Sequence, residues 1–145
     1  MIFLNLAIWL PILAGVVLLA LGRDDNARAV RWMSLVFALA SFLVTLPLIT
    51  GFDTAQAGMQ FQTDLTWIER FNAHYRLGVD GISVWFVLLT ALITVVVVIS
   101  AWEVITERVN QYMGAFLILS GLMIGVFSAV DGLLFYTFFE ATLIP

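Results

Sequence analysis

One acidic side chain, Glu140, lies where a charged group is costly to place. It follows an apolar and aromatic run that begins after Asp131, nine residues earlier. If a helix starts at Asp131, Glu140 lies about 13.5 Å along its axis, close to half of a ~30 Å hydrocarbon core. An ionised acid there costs at least about 2.5 kcal/mol, and desolvation favours the neutral carboxyl. We therefore predict an interior-facing Glu140 that handles a proton; the alternative is a polar residue that only holds two helices together.

Three further residues are predicted to shape the helices around this acid. Asp80 and Asp131 each precede an apolar run and are followed by glycine. That position is typical of side chains that accept hydrogen bonds from the first free N–H groups of a helix; ion handling is the alternative. Pro145 lies five residues after Glu140, and because it has no N–H group it should bend the helix beside the acid. Interrupted helices are common along the ion paths of transporters.

The proposed role of Glu140 requires a membrane around it, and the composition predicts a membrane protein. The 145 residues are 63% hydrophobic and 11% charged, whereas an average soluble domain is about 25% charged. A run of about 20 apolar residues can cross a bilayer as a helix. The sequence has four such runs and the start of a fifth, at 2–21, 30–49, 82–102, 112–130 and 132–145. It therefore predicts an all-α membrane protein with several transmembrane helices.

The arginines predict how these helices are oriented. Arg23, Arg28 and Arg31 lie in or beside the short connection between the first two spans, and loops rich in positive charge face the cytoplasm. The N-terminus is then outside, and the long connection at 52–81 faces outward. In that loop apolar and polar residues alternate on both sides of a short polar break. Such alternation predicts a β-hairpin on the outer face; an irregular loop with interfacial aromatic residues is the alternative.

Other polar residues and glycines have structural interpretations. His74, in the outer loop, is predicted to be solvated. Glu103 and Glu107 lie one helical turn apart and are predicted to form an interfacial ion cluster, with proton entry as the alternative. Gly121 and Gly125 have the spacing of a close-packing face on the fourth helix.

The composition also excludes several kinds of site. The sequence contains no cysteine and a single histidine, which excludes disulfides, iron–sulfur clusters, thiolate zinc sites and histidine clusters. A net charge of −4 argues against a nucleic-acid partner. No nucleophile with its base and no phosphate-binding glycine loop is recognisable. If the protein serves a redox reaction, the electrons travel elsewhere.

Three stretches carry a resemblance to a known family. They are Leu77–Ser83 (LGVDGIS), Gly121–Asp131 (GLMIGVFSAVD) and Phe135–Pro145 (FYTFFEATLIP). Together they resemble the start of the antiporter-like M, or chain 4, subunits of the proton-pumping NADH–quinone oxidoreductase, respiratory complex I. The resemblance extends over nearly the whole chain.

This resemblance implies an architecture and a site. Residues 1–111 would hold three leading helices with the outer loop, and residues 112–145 would open the first of two inverted five-helix repeats. Glu140 would pair with a lysine on a helix beyond Pro145 and form half of a proton channel. The outer hairpin resembles one that links neighbouring subunits.

The resemblance also implies cofactors, partners and a location. NAD, FMN, iron–sulfur clusters and quinone would be bound by other subunits, so this chain would bind none and would be a non-redox subunit of the enzyme. Its partners would be antiporter-like membrane subunits and lipid, in a bacterial cytoplasmic membrane. Two alternatives stay open: a subunit of a multi-subunit Na⁺/H⁺ antiporter, and a membrane scaffold without a chemical role.

Overall fold

The computed structural model describes residues 2–21, 27–51, 60–102, 104 and 107–143. These residues form five α-helices and a two-stranded sheet. In chain order the elements are α1 (Ile2–Leu21), α2 (Ala27–Thr50), β1 (Gln60–Ile68), β2 (Ala73–Val79), α3 (Ser83–Ser100), α4 (Val109–Ser128) and α5 (Gly132–Ala141).

Three of the described helices have the length and composition of membrane spans. Three ranges are long and apolar enough to cross a bilayer, Arg28–Thr50, Ser83–Ser100 and Val109–Ser128, and α1 carries the apolar run Leu4–Ala20. The predicted fold class, an all-α membrane protein with a hairpin, is confirmed. α2 begins at Ala27, before the predicted 30, because arginine is a good helix former. The apolar run therefore marks the lipid boundary, whereas the helix continues beyond it.

Helix α4 lies at the centre, in contact with α1, α2, α3 and α5. It approaches α1 through glycines on both helices. A Cβ atom added to Gly15 would lie 2.5 Å from the carbonyl oxygen of Gly114, and one added to Gly121 would overlap the carbonyl oxygen of Ile8. Small residues allow such close backbone approach in membrane helices. The absence of side chains at these positions therefore sets the α1–α4 distance.

The predicted close-packing face of α4 serves two neighbours. Gly121 contacts α1, at Ile8 and Ile12, whereas a Cβ atom at Gly125 would meet the ring of Phe138 on α5. The two glycines are one helical turn apart, and the first positions α1 while the second leaves room for an aromatic ring. Gly125 thereby lets α5 pack on α4.

The predicted hairpin is present and is attached to the helices. β1 pairs with β2 in antiparallel register, with Thr63 opposite Leu77 and Leu65 opposite Tyr75, and a 3₁₀ turn (Glu69–Phe71) connects them. The second edge of β2 is covered by the α4–α5 connection: the Val130 N–H donates to the Arg76 carbonyl at 2.8 Å. A covered edge leaves fewer backbone groups unpaired. We call this end of the helix bundle the hairpin end.

Candidate functional site

Glu140 lies near the end of α5, on the face that the rest of the described chain leaves exposed. The buried residues of α5 are Leu134 and Phe138, which lie one helical turn apart. Glu140 follows Phe138 by two residues, which rotates its side chain about 200° around the helix axis. Within the described chain the apolar pair takes the buried face and the acid lies opposite. That Glu140 faces a protein interior in the membrane stays a prediction.

Two hydroxyl side chains share this face of α5. Tyr136 and Thr137 precede Glu140 by four and three residues, a spacing that places side chains side by side on a helix. Both are exposed, and the Thr137 hydroxyl donates to the Leu133 carbonyl at 2.9 Å. A carboxyl and two hydroxyls on one face are costly to present to lipid. Their arrangement indicates that protein or water covers this face in the membrane.

The Glu140 carboxylate has no ion pair or hydrogen bond with any residue that the structure describes. Its backbone is held: the Glu140 carbonyl accepts from the Leu143 N–H at 3.2 Å. Pro145, predicted to bend this helix, lies outside the described residues. Both carboxylate oxygens are therefore available to bind a cation, a proton or water.

A groove lies between α4 and α5, next to the backbone of Glu140 but on another face of the helix from its side chain. Its volume is about 370 Å³. Phe139 and Thr142, on either side of Glu140 in the sequence, form its α5 wall, and the α4 wall consists of Leu119, Met123, Val126 and Phe127. The backbone that carries Glu140 therefore lies beside an open volume rather than against a tightly packed helix.

Asp131 fixes the position of α5. It is the N-cap residue, and its side chain accepts hydrogen bonds from the N–H groups of Leu133 and Leu134 at 3.0 and 3.3 Å. Its second carboxylate oxygen accepts from the His74 N–H at 3.0 Å. The bond from His74, followed by those from the two helix N–H groups, holds the pKa of Asp131 below its usual range. One carboxylate thus joins the start of α5 to the hairpin.

Acid is expected to release the hairpin from α5. A carboxyl whose pKa is lower in the folded state stabilises that state above its unfolded pKa, here 3.8, and stops doing so as the pH falls through the lower folded value. We expect the hydrogen-exchange protection of the His74 amide to fall below pH 3.8. Asp131→Ala should remove that protection at neutral pH as well. Glu69→Gln, an exposed acid at the hairpin turn, is the control and should change neither; protection that is unchanged in Asp131→Ala would contradict the bridging role.

Polar and charged side chains of the hairpin contact one another. The Asp64 carboxylate lies 3.1 Å from His74 Nδ1 and 3.2 Å from Arg76 Nε. His74 Nε2 lies 3.2 Å from the side-chain oxygen of Asn72. The prediction that His74 is merely solvated is wrong, because both ring nitrogens have partners and the side chain is 22% exposed. The Asp64–Arg76 ion pair is exposed, and such pairs contribute little stability, so it orients the strands rather than holds them.

Tyr75 fastens the hairpin to α1. Its hydroxyl donates to the Asn5 side-chain oxygen at 2.9 Å and accepts from Trp9 Nε1 at 2.8 Å. Burial raises the pKa of the Tyr75 hydroxyl, and the bond from Trp9 opposes this rise. Because the neutral hydroxyl is favoured, Tyr75 keeps its proton and can act as donor and acceptor at once. β2 is thus tied to α1 through Tyr75 and to α5 through Asp131.

Asp80 positions the start of α3. Its carboxylate accepts from the N–H groups of Ile82 and Ser83 at 3.0 and 2.8 Å, and its own N–H donates to the Ser83 hydroxyl at 2.9 Å. These bonds, those with Ser83 first, lower the pKa of Asp80. Asp80 therefore orders the turn between β2 and α3.

The predicted acidic cluster at the opposite end is only partly described. Glu103 lies outside the described residues, whereas Glu107 and Arg108 are exposed just before α4. Among the described residues no group of three or more histidine, cysteine or acidic side chains could hold a metal ion.

Sequence reasoning missed the contacts that join distant parts of the chain. The hairpin anchors Tyr75–Asn5 and Asp131–His74 connect residues 70 and 57 positions apart. Gly15 and Gly114, which face each other, were not singled out either. The aspartates and Glu140 could be found because each is a charged residue beside an apolar run. A tyrosine or a single glycine in such a sequence carries no comparable signal.

Comparisons with known proteins show that the chain is similar to subunits of NADH–quinone oxidoreductases. It is 49% identical over 145 residues to NADH-quinone oxidoreductase subunit M of Rhodobacter capsulatus, covering 98% of this chain and 28% of that one. It is 38% identical over 135 residues to NADH-ubiquinone oxidoreductase chain 4 of Arabidopsis thaliana, covering 93% and 27% of the two chains. No protein-family profile matches the chain.

A solved structure of respiratory complex I contains a chain with a similar fold. A chain in the structure of respiratory complex I from Thermus thermophilus with bound NADH matches with a TM-score of 0.78 and 31% identity, over 98% of this chain and 27% of that one. The chain thus spans about a quarter of the length of the relatives it matches, at 27–28%.

Proposed function

Since the chain is homologous along nearly its whole length to subunit M, or chain 4, of NADH–quinone oxidoreductase, we propose that it forms part of a proton-translocating membrane subunit of such an enzyme. NADH oxidation and quinone reduction would take place in other subunits, which would hold NAD, FMN, the iron–sulfur clusters and quinone. Its partners would be the neighbouring antiporter-like membrane subunits. The division into leading helices (1–111) and the start of a repeat (112–145) stays a prediction.

The observation that carries this proposal is the exposed polar face of α5. Glu140 is the acid on that face, about 13.5 Å along a helix capped by Asp131, and no described residue neutralises it. Because an uncompensated acid near the bilayer centre is costly, further polypeptide or water must cover it. A cation supplied there, such as a lysine on a helix beyond residue 145, would complete the site.

Such a pair can move a proton because its charge state depends on distance. A cation close to Glu140 favours the carboxylate, and a cation that withdraws leaves the neutral acid favoured. Alternation between these states would take up a proton from one path and release it to another. Moving one charge fully across the membrane involves about 2.3 kcal/mol per 100 mV, so the alternation requires energy from the redox subunits.

The orientation of the chain is also a proposal. Arg28 and Arg108 are exposed at the end of the bundle opposite the hairpin, where α2 and α4 begin. Loops rich in arginine face the cytoplasm, which supports an outer hairpin and an N-terminus outside. The proposed location, a bacterial cytoplasmic membrane, is supported instead by the 49% identity to the Rhodobacter capsulatus subunit. Asp131 would then mark the outer end of α5. The hairpin would lie where neighbouring subunits can contact it.

Affinity purification tests membership of the enzyme. The full-length protein, tagged and extracted in a mild detergent, is expected to co-purify with NADH:quinone reductase activity and with further membrane subunits. An untagged strain treated in the same way is the control. Purification without this activity, together with Na⁺-dependent proton exchange that needs no NADH, would instead support the Na⁺/H⁺ antiporter alternative.

A further inference from the structure

A cavity of about 210 Å³ lies between α3 and α4. Its wall is mainly apolar and aromatic, but three hydroxyl residues line it: Thr90 and Thr94 on α3 and Ser120 on α4. All three lie near the middle of their helices, far from either end. A water molecule needs only about 10–15 Å³ of such volume, so the cavity is large enough for water.

The three hydroxyls can still form hydrogen bonds: the two threonines only as acceptors, and the serine also as a donor. The Thr90 hydroxyl donates to the Phe86 carbonyl and the Thr94 hydroxyl to the Thr90 carbonyl, both at 2.8 Å. Each has therefore used its proton and can only accept further bonds. The Ser120 side chain is buried, with 3% of the residue exposed, and its hydroxyl has no partner among the described residues. It can still donate one bond and accept others.

We propose that this cavity binds water at the middle of the membrane, held by Ser120, Thr90 and Thr94. Water molecules in the cavity accept the bond from Ser120 and donate to the oxygens of Thr90 and Thr94, so each hydroxyl gains the bond it lacks. A buried polar group without a partner is destabilising, which favours an occupied site. A lipid tail would fill the apolar part of the cavity but leave Ser120 unsatisfied.

The cavity adjoins the groove between α4 and α5. Three α4 residues, Leu119, Met123 and Phe127, line both this cavity and the groove that ends at Phe139 and Thr142. Water at Ser120 therefore lies along the same face of α4 as the backbone that carries Glu140. Water binding here does not depend on the role of Glu140 and would hold if that acid moved no proton.

X-ray hydroxyl-radical footprinting of the full-length protein in lipid nanodiscs tests the proposal. Radicals form from bound water and oxidise side chains beside it. We expect oxidation of Met123 in the unchanged protein and its loss in Ser120→Ala. Met33 on α2 has the same exposed fraction, 37%, and lies outside the cavity, so its oxidation should not change.

Thermal unfolding gives an independent readout. Ser128 is also buried without a hydrogen-bond partner among the described residues, but it does not line this cavity. Ser120→Ala should lower the Tm, since a water bond is lost, whereas Ser128→Ala should leave the Tm unchanged or raise it. The proposal is overturned if Met123 is not oxidised, if its oxidation survives Ser120→Ala, or if cryo-EM density shows a lipid tail or a side chain filling the cavity.

Discussion

Replacing Glu140 with glutamine in the full-length protein is expected to lower NADH-driven proton translocation at least about tenfold, since a positioned acid–base group typically contributes 10²–10⁴-fold. Glutamine has nearly the same shape but cannot take up or release a proton. Glu140 is exposed and makes no side-chain contact to another described residue through hydrogen bonds or ion pairs, so folding and assembly should be preserved. Proton uptake by inverted membrane vesicles after addition of NADH measures the effect.

Two control variants separate a proton role from a structural one. Glu140→Asp keeps an ionisable group and should retain part of the activity. Glu107→Gln removes an exposed acid before α4 and should leave translocation unchanged. If Glu140→Gln translocates protons at the normal rate, the acid only holds helices together and the scaffold alternative is favoured.

Replacing Gly121 with alanine is expected to destabilise the protein by about 1–3 kcal/mol, the usual cost of overpacking a core. The added Cβ atom would overlap the backbone carbonyl oxygen of Ile8 and the side chain of Ile12. A backbone atom cannot rotate away, so α1 must move from α4. Helix propensity alone would predict the opposite change in stability, since alanine is favoured over glycine in a helix by about 1 kcal/mol.

Gly132→Ala is the matched control for this substitution. A Cβ atom at Gly132 has nothing within 4 Å, so propensity alone should act and stability should be unchanged or increased. Thermal unfolding in detergent or nanodiscs measures both variants. Equal stability of Gly121→Ala and Gly132→Ala would show that the α1–α4 approach is looser than the structure indicates.

The secondary structure was largely predictable because it depends on local sequence. A transmembrane helix satisfies its own backbone hydrogen bonds, so the run at 2–21 suffices to predict α1. The alternation of apolar and polar residues on both sides of the polar break in the loop at 52–81 predicted β1 and β2. Asp131 marked the start of α5, since a carboxylate before an apolar run is a helix N-cap in most settings. From that start, counting residues predicts the depth of Glu140.

The contacts between elements were not predictable in the same way. Nothing in the sequence pairs Gly15 with Gly114, or Tyr75 with Asn5, because these residues are distant along the chain. His74 was expected in water, but the fold of the hairpin brings Asp64 and Asn72 to its two ring nitrogens. Such contacts depend on how the strands and helices are arranged, which the local pattern does not contain.

Glu140 illustrates which properties of a residue follow from the local sequence and which depend on the tertiary structure. The sequence by itself predicts an acid on a membrane helix and its depth there, and Glu140 does lie on a helix, α5. Only the tertiary structure decided its direction, because lipid tails are as apolar as leucine and hydrophobicity alone does not select which helix face is buried. Close packing makes that choice: Gly125 admits the Phe138 ring, and this contact turns Glu140 to the open side of α5.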